Sequence, residues 1–397
     1  GGAAFPSGPL ERPGVSGCGP AAPASGMTGE DRSVRISVVH PKDLGEPELA
    51  RWREFQAADP EQDNPFLCPE FVQTVGLLRP QVRVAVIADG SGIWGFFPYE
   101  RHPLGIGRPV AAGLTDLQGM VYARGLELDA VGLLRATGLA VWEFDHLHPG
   151  QPMFAPHHES RHPSPIIELA GGYDEYLATL RRKSPTTYRM TRYKRNRLGR
   201  EVGEVRHVAE STDTAALRRV MHWKSQQYRR TGRMDRFAHP WIVELVERLH
   251  AIRTDRFAGS LSLLYAGDEL VAGHFGLRTG SQLCTWFPAY DTRFGKYSPG
   301  LLQHLAMAQD FAAAGLRHID MGRGPKDYKE QLKTRDLEVA EGRVARASAG
   351  AAVHWVAQVP LRRLRNAVVS TPFLRDRADR LLKVYGRLSS RLRPVRD

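Results

Sequence analysis

The residues of this chain best suited to chemistry lie between Leu261 and Lys329. Asp320 closes a short apolar segment, Arg317-His318-Ile319, where partial burial would raise a carboxylate's proton affinity toward what a general base needs. His274 is the alternative base, because an imidazole titrates near neutrality unaided. Each has a plain structural reading as well: His274 as a satisfied core histidine, Asp320 as a cap for Gly322-Arg323-Gly324. Upstream, Tyr297-Ser298-Pro299-Gly300 reads as a helix start, with proline in the first turn where its missing N–H costs nothing. The unsatisfied N–H groups and dipole of that turn, with Gly295 and Lys296 just before it, suit an anion such as a pyrophosphate. An ordinary capped helix carries the same local pattern.

The elements that must position these groups follow from periodicity. Phe257 to Ala266, Glu269 to Arg278 and Ser281 to Phe287 are separated by Gly267-Asp268 and Thr279-Gly280, which predicts a three-stranded antiparallel meander. Gly273 and Gly276 weaken the middle strand, so a bulge and a split in the sheet are expected there. Leu301, Leu305, Ala308 and Ala312 recur at helical spacing and Gly315 ends the run. Towards the N-terminus, strands are predicted at Val34 to Val39, Val82 to Ile87, Ile93 to Tyr99 and Ala140 to Phe144, with helices at Glu46 to Phe55, Cys68 to Leu77 and Leu126 to Leu139. The class is α/β, in the sense of an α+β mixed sheet.

Between the two halves lies a histidine-rich stretch with His146, His148, His157, His158 and His162. Two imidazoles at a strand end can face a metal, but Pro149, Pro152, Pro156, Pro163 and Pro165 favour a solvated connection, and no metal is assigned.

The 397 residues suggest about two domains, and 42% hydrophobic content supports packed cores. No apolar run approaches the roughly 20 residues of a membrane span. Cys18, Cys68 and Cys284 fit neither a disulfide framework nor a zinc pattern, which points to a reducing cytoplasm. The net charge of +12 concentrates between Arg181 and Arg200, where nine basic residues occur with no acid among them. Such a segment attracts phosphorylated ligands, an acidic carrier protein or nucleic acid, and is equally a solvated helix face; Tyr188 and Tyr193 are thin support for base stacking, so nucleic acid is the weaker partner. Residues 1–32, rich in Gly, Pro and Ala, are expected to be a disordered extension, with Met27 a candidate start. The tail, 347–397, places Leu374, Ala378, Leu381, Tyr385, Leu388 and Leu392 on one helical stripe, a basic amphipathic helix that can pack on this chain, on a second copy or on a membrane surface.

The order Leu270-Val271-Ala272-Gly273-His274, Phe287-Pro288-Ala289-Tyr290-Asp291, Tyr297-Ser298-Pro299-Gly300, Asp320-Met321-Gly322-Arg323-Gly324 and Asp327-Tyr328-Lys329 resembles the GNAT acyltransferase superfamily. Within it the chain is most similar to the cellulose-biosynthesis-type acetyltransferases, which are related to the Fem-type peptidyltransferases. The resemblance covers roughly Tyr173 to Leu332. It implies tandem GNAT-like lobes, 33–169 and 170–346, with the acceptor in a central cleft between them. It also implies an acyl-CoA co-substrate, acetyl or longer, whose phosphates meet Gly295, Lys296, Tyr297, Ser298 and Gly300. The thioester would sit in the split beside His274, Trp286 and Phe287, its carbonyl met by a backbone N–H.

On the acceptor side the resemblance implies Asp320, Tyr328, Lys329 and Arg323, with Lys329 as anchor or oxyanion stabiliser. Asp116, in Leu114-Thr115-Asp116-Leu117-Gln118-Gly119, resembles the acidic loop residue through which the first lobe reaches the cleft; a turn-capping aspartate is the plain alternative. The expected reaction is acyl transfer to an amine, with a hydroxyl second, on a sugar, a peptide or a small metabolite. An acyl carrier protein is a second donor. Two rival readings are an aminoacyl-tRNA-dependent Fem-type transferase and a non-catalytic binding lobe in a biosynthetic assembly.

Overall fold

In the computed structural model, residues 34–324, 326–352 and 355 are described. The expected N-terminal extension and almost all of the C-terminal tail, including the Leu374 to Leu392 stripe, lie outside them.

The first half of the chain gives β1 (Arg35–Val39), α1 (Glu46–Ala58), α2 (Pro69–Leu78), β2 (Val82–Asp89), β3 (Gly92–His102), β4 (Ile106–Arg108), β5 (Val121–Tyr122), α3 (Ala130–Ala136), β6 (Val141–Leu147) and β7 (His158–Glu168). The second gives α4 (Gly172–Lys183), α5 (Pro185–Glu201), β8 (Val205–Val208), α6 (Thr214–Arg230), α7 (Pro240–Ala251), β9 (Ala258–Ala266), β10 (Glu269–Arg278), β11 (Gln282–Tyr290), α8 (Pro299–Ala313), β12 (His318–Asp320), α9 (Asp327–Leu332) and β13 (Arg335–Ala345). One mixed sheet runs through both halves in the order β1-β2-β3-β4-β6-β13-β7-β12-β11-β10-β9-β8, with β5 against β3. The last strand, β13, lies between β6 and β7, antiparallel to both, and is the seam of the molecule.

Three sequence expectations change. The helix expected over Leu126 to Leu139 is only α3: Asp129 accepts hydrogen bonds from the Val131 and Gly132 N–H groups as an N-cap, and Gly138 adopts φ +70° just past the end. The proline-rich connection is in part a strand, because β7 carries Pro163 and Pro165 inside the sheet. Pro165 accepts from the Met321 N–H, so its polar groups face the side where β12 pairs only Ile166 to Glu168. The missing proline N–H groups therefore face an edge with no strand beside it, where they break no ladder.

The third change concerns the split. β10 and β11 pair from Ala272↔Tyr290 to Arg278↔Leu283, with a bulge between Phe275 and Gly276 but no gap. Instead β11 meets β12, in parallel, only over Gln282 to Cys284, so Thr285 to Tyr290 has no strand on that side. The opening lies one strand further along than the glycines suggested. Gly276 serves the bulge: a Cβ there would stand 2.5 Å from the Cys284 carbonyl and 2.7 Å from the His274 ring.

One hydrophobic cluster that crosses between the halves joins Trp52, Phe66 and Phe71 to Leu217, Leu245, Phe275 and Phe287, and another packs Ala340 and Val344 of β13 with Trp142 and Phe144. The Trp286 indole packs edge-on to Phe66 at 5.7 Å and Phe71 at 6.2 Å, and donates a hydrogen bond to the Leu114 carbonyl at 2.8 Å. These contacts tie the two halves together through Trp286.

Candidate active site

The split between β11 and β12 opens beside the N-terminus of α8, and the loop that carries Asp116 covers its mouth. The Trp286–Leu114 hydrogen bond ties that loop to β11. Across the gap, Gly322 follows β12 with φ +73°, and a Cβ added to it would lie 2.7 Å from Asp116 Oδ2. The carboxylate therefore rests on the backbone of Gly322, where a β-carbon would displace it and strain the left-handed backbone. Burial pushes the Asp116 carboxyl up to about 6; the nearby Asp320 carboxylate adds to the rise, while His146 and Lys329 oppose it. His146 Nε2 stands 4.0 Å from Asp116 Oδ1.

Asp320, at the end of β12, is buried, and its Oδ1 accepts both the Ser164 hydroxyl and the Gly322 N–H at 2.8 Å. It fixes the turn on which Asp116 rests. Lys329 is buried and donates to the Gly322 carbonyl at 2.7 Å, pinning the same turn from the other side; burial lowers its proton affinity. Arg323 donates to the Asp145 carbonyl at 2.7 Å and pairs with Glu341 at 2.9 Å, so it links β6 and β13 to this turn.

His274 is fully buried and its Nε2 accepts the Trp286 N–H at 3.2 Å. Desolvation drives its proton affinity well below the ordinary imidazole value. Through that bond His274 occupies the Trp286 N–H, and Pro288 has none to give. The Pro288 carbonyl instead accepts the Lys224 ammonium at 3.0 Å. Tyr328 lies against the His304 ring, with centroids 5.2 Å apart, and burial raises its phenol to about 12.

On the opposite side of α8's first turn, Ser298 adopts a left-handed conformation, φ 52° and ψ 55°, and its hydroxyl accepts the Lys194 ammonium from α5 at 2.6 Å. Gly300 has open space at its Cα, with the Tyr290 ring the nearest atom at 4.0 Å. Gly295 is open as well. Lys296 and Tyr297 are engaged elsewhere: both donate to Glu201, at 2.9 and 2.6 Å, and Arg197 joins the same carboxylate. The cation that reaches the helix start is thus Lys194.

Three residues in this site were not singled out as site residues from the sequence. Lys194 was visible only as one member of the basic segment. His304 sits within the apolar stripe of α8, buried, its Nδ1 bonded to the Gly300 carbonyl at 2.7 Å, and a histidine on that stripe was the available signal. Lys224, in the middle of α6, carried no local signal; its burial arises from how α6 crosses β11. Among the described residues, no group of three or more His, Cys, Asp or Glu side chains is arranged to hold a metal ion.

Residues 186–330 match the family model described as an acetyltransferase (GNAT) domain. No curated protein matches the chain. Among solved structures, FemX is similar at 10% identity with a TM-score of 0.54, over 77% of this chain and 96% of that one. The C-terminal domain of a putative lysylphosphatidylglycerol synthetase from Agrobacterium fabrum aligns at 12% identity and a TM-score of 0.48, over 78% and 95%. A tandem GNAT protein from the clavulanic acid biosynthesis pathway aligns at 12% identity and a TM-score of 0.44, over 79% and 98%. At 10% identity the likeness to FemX concerns the fold alone.

Proposed function

With a GNAT acyltransferase fold and a matching acetyltransferase domain as premises, we propose that this protein transfers an acyl group from an acyl-CoA thioester to an amine, as a member of the cellulose-biosynthesis-type branch its motifs resemble. The observation that carries the reading is the Asp116 carboxylate, delivered by one lobe across the mouth of a strand split that belongs to the other. The donor's phosphates would meet Lys194, Ser298 and Gly300 at the start of α8, and its pantetheine arm would enter between β11 and β12. The amine attacks the thioester carbonyl carbon, the C–S bond breaks, and the amine's proton passes to Asp116, whose affinity near 6 suits a base at neutral pH. Tyr328, held protonated, can donate a hydrogen bond to the departing thiolate. Asp320, Lys329 and Arg323 hold the turn that positions this base.

Mass spectrometry of ligands retained by the purified protein tests the donor. Bound CoA or acyl-CoA, and release of free CoA on adding an amine acceptor, are the expected results. A second reading, aminoacyl-tRNA-dependent transfer, is favoured by the basic helix α5, on which only Arg197 pairs with a carboxylate among the described residues. Activity abolished by ribonuclease, with no acyl-CoA bound, would replace the first reading by the second.

A further inference from the structure

Lys224 is 5% exposed and Lys329 6% exposed, and their ammonium groups hydrogen-bond only to carbonyl oxygens, Pro288 for Lys224 and Gly322 and Arg323 for Lys329, with the Lys224 ammonium also 5.3 Å from the Tyr228 ring centre. Lys326, whose ammonium lies 5.9 Å from the Tyr328 ring centre, and the exposed Arg233, in the loop after α6, stand close enough to Lys224 that each disfavours its protonation. Lys224 falls to about 7 and Lys326 to about 8, burial being the first cause of both. Among the described residues, none of these four cations has a carboxylate within ion-pairing distance. The acids that act on the group from further away are Asp116 and Asp320, and Asp320 is already held by Ser164 and Gly322. Two buried lysines, with a half-buried lysine and an arginine at their edge, face only two carboxylates, an arrangement that folding alone does not favour. It is stabilised when an anion enters.

We propose that the cleft holds a second anion site, formed by Lys224, Lys326 and Lys329 with Arg233 at its rim, which binds a carboxylate or phosphate on the acceptor. This rests on the acyltransferase reading above and adds the acceptor's charge class. The site is separate from the helix start where Lys194 and Ser298 would take the donor's phosphates: its cations come from α6, the loop after it, and the segment after β12. The amine to be acylated would lie beside Asp116, with the acceptor's anionic group turned towards Lys224.

Calorimetric titration of inorganic phosphate and, separately, acetate into the full chain tests this, with Lys224→Met, Lys326→Met and Lys194→Met in parallel and acetyl-CoA binding measured for each. The expected result is that at least one anion binds the parent protein, that Lys224→Met and Lys326→Met each weaken it about tenfold or more, and that Lys194→Met retains it. The anion preferred identifies the acceptor's group as phosphate or carboxylate. Lys326 is only partly buried, so its replacement keeps the test decisive even where Lys224→Met fails to fold. No binding by the parent protein at 20 mM anion (about the weakest affinity a useful subsite would have), loss in Lys194→Met alone, or unchanged affinity in both cleft variants would overturn the proposal. Acetyl-CoA binding that survives any of these outcomes leaves the acyltransferase reading standing, and its absence from the parent protein counts against that reading alone.

Discussion

Asp116 is the residue whose chemistry depends most on its surroundings. Its folded affinity of about 6 lies above the ordinary aspartate value of 3.8, so the folded state binds more protons than the unfolded chain between those two values. Stability attributable to this residue is therefore fully present below pH 3.8 and is lost as pH rises to about 6. Asp116→Asn should unfold at higher urea than the parent at pH 8 and show no such advantage at pH 3.5. For catalysis the sign is reversed. The parent's kcat/KM should climb through a midpoint near pH 6, and Asp116→Asn should lose that midpoint and about 10²–10⁴ of the rate; a pH–rate profile that is unchanged in the variant would remove Asp116 as the base. Lys224 behaves in the complementary way. Its folded affinity, about 7, lies below the usual 10.5, so its burial costs stability below pH 7 and the cost fades by pH 10.5. Urea midpoints of Lys224→Met relative to the parent should therefore improve steadily as pH is lowered from 10 to 7.

Among the elements, the turn after β12 connects the strand split to Asp116, the proposed base. Gly322 meets two demands, a left-handed backbone and close approach of Asp116, whereas Gly324 has φ +116° and nothing within 4 Å of its Cα substituent position. Gly324→Ala should lose about 1–2 kcal/mol of stability from backbone strain alone and keep its rate. Gly322→Ala should lose a similar amount and also at least tenfold in turnover, because its methyl group displaces the carboxylate. Urea unfolding and steady-state kinetics on both variants check this, and equal rates would show that the contact is incidental. At this scale the sequence was partly legible. The meander, the proline-started helix α8 and the short strand β12 follow from alternation, helical spacing and Gly315. The position of the split did not, because glycines mark where a strand is weak, whereas the split depends on where β12 runs out of length.

For the whole molecule the decisive element is β13, which inserts between β6 and β7 and joins the two halves into one sheet over a shared core. A chain ending at Lys333 loses that seam. Calorimetry should then show the single transition of the full chain replaced by one or more at a markedly lower temperature, since β6 and β7 are left with open edges and the core loses the buried Val339, Ala340 and Val344 side chains. An unchanged transition would mean that the shared core around Trp286 and the β7–β12 pairing hold the halves together without β13.

By itself the sequence determined the mixed α/β class, the antiparallel meander and the proline-started helix α8, because these are local properties of spacing, turn chemistry and apolar period; its order of motifs added a resemblance to GNAT-type folds, which the family match over residues 186–330 supports. Tertiary structure alone decided that Lys194 rather than Lys296 reaches Ser298, and that Asp320 braces a turn while Asp116 faces the gap. It also decided that Lys224 is buried among other cations. Each of these depends on which distant segments the sheet and its two lobes bring within a few ångströms, and charge, burial and hydrogen bonding act over those distances and not along the chain.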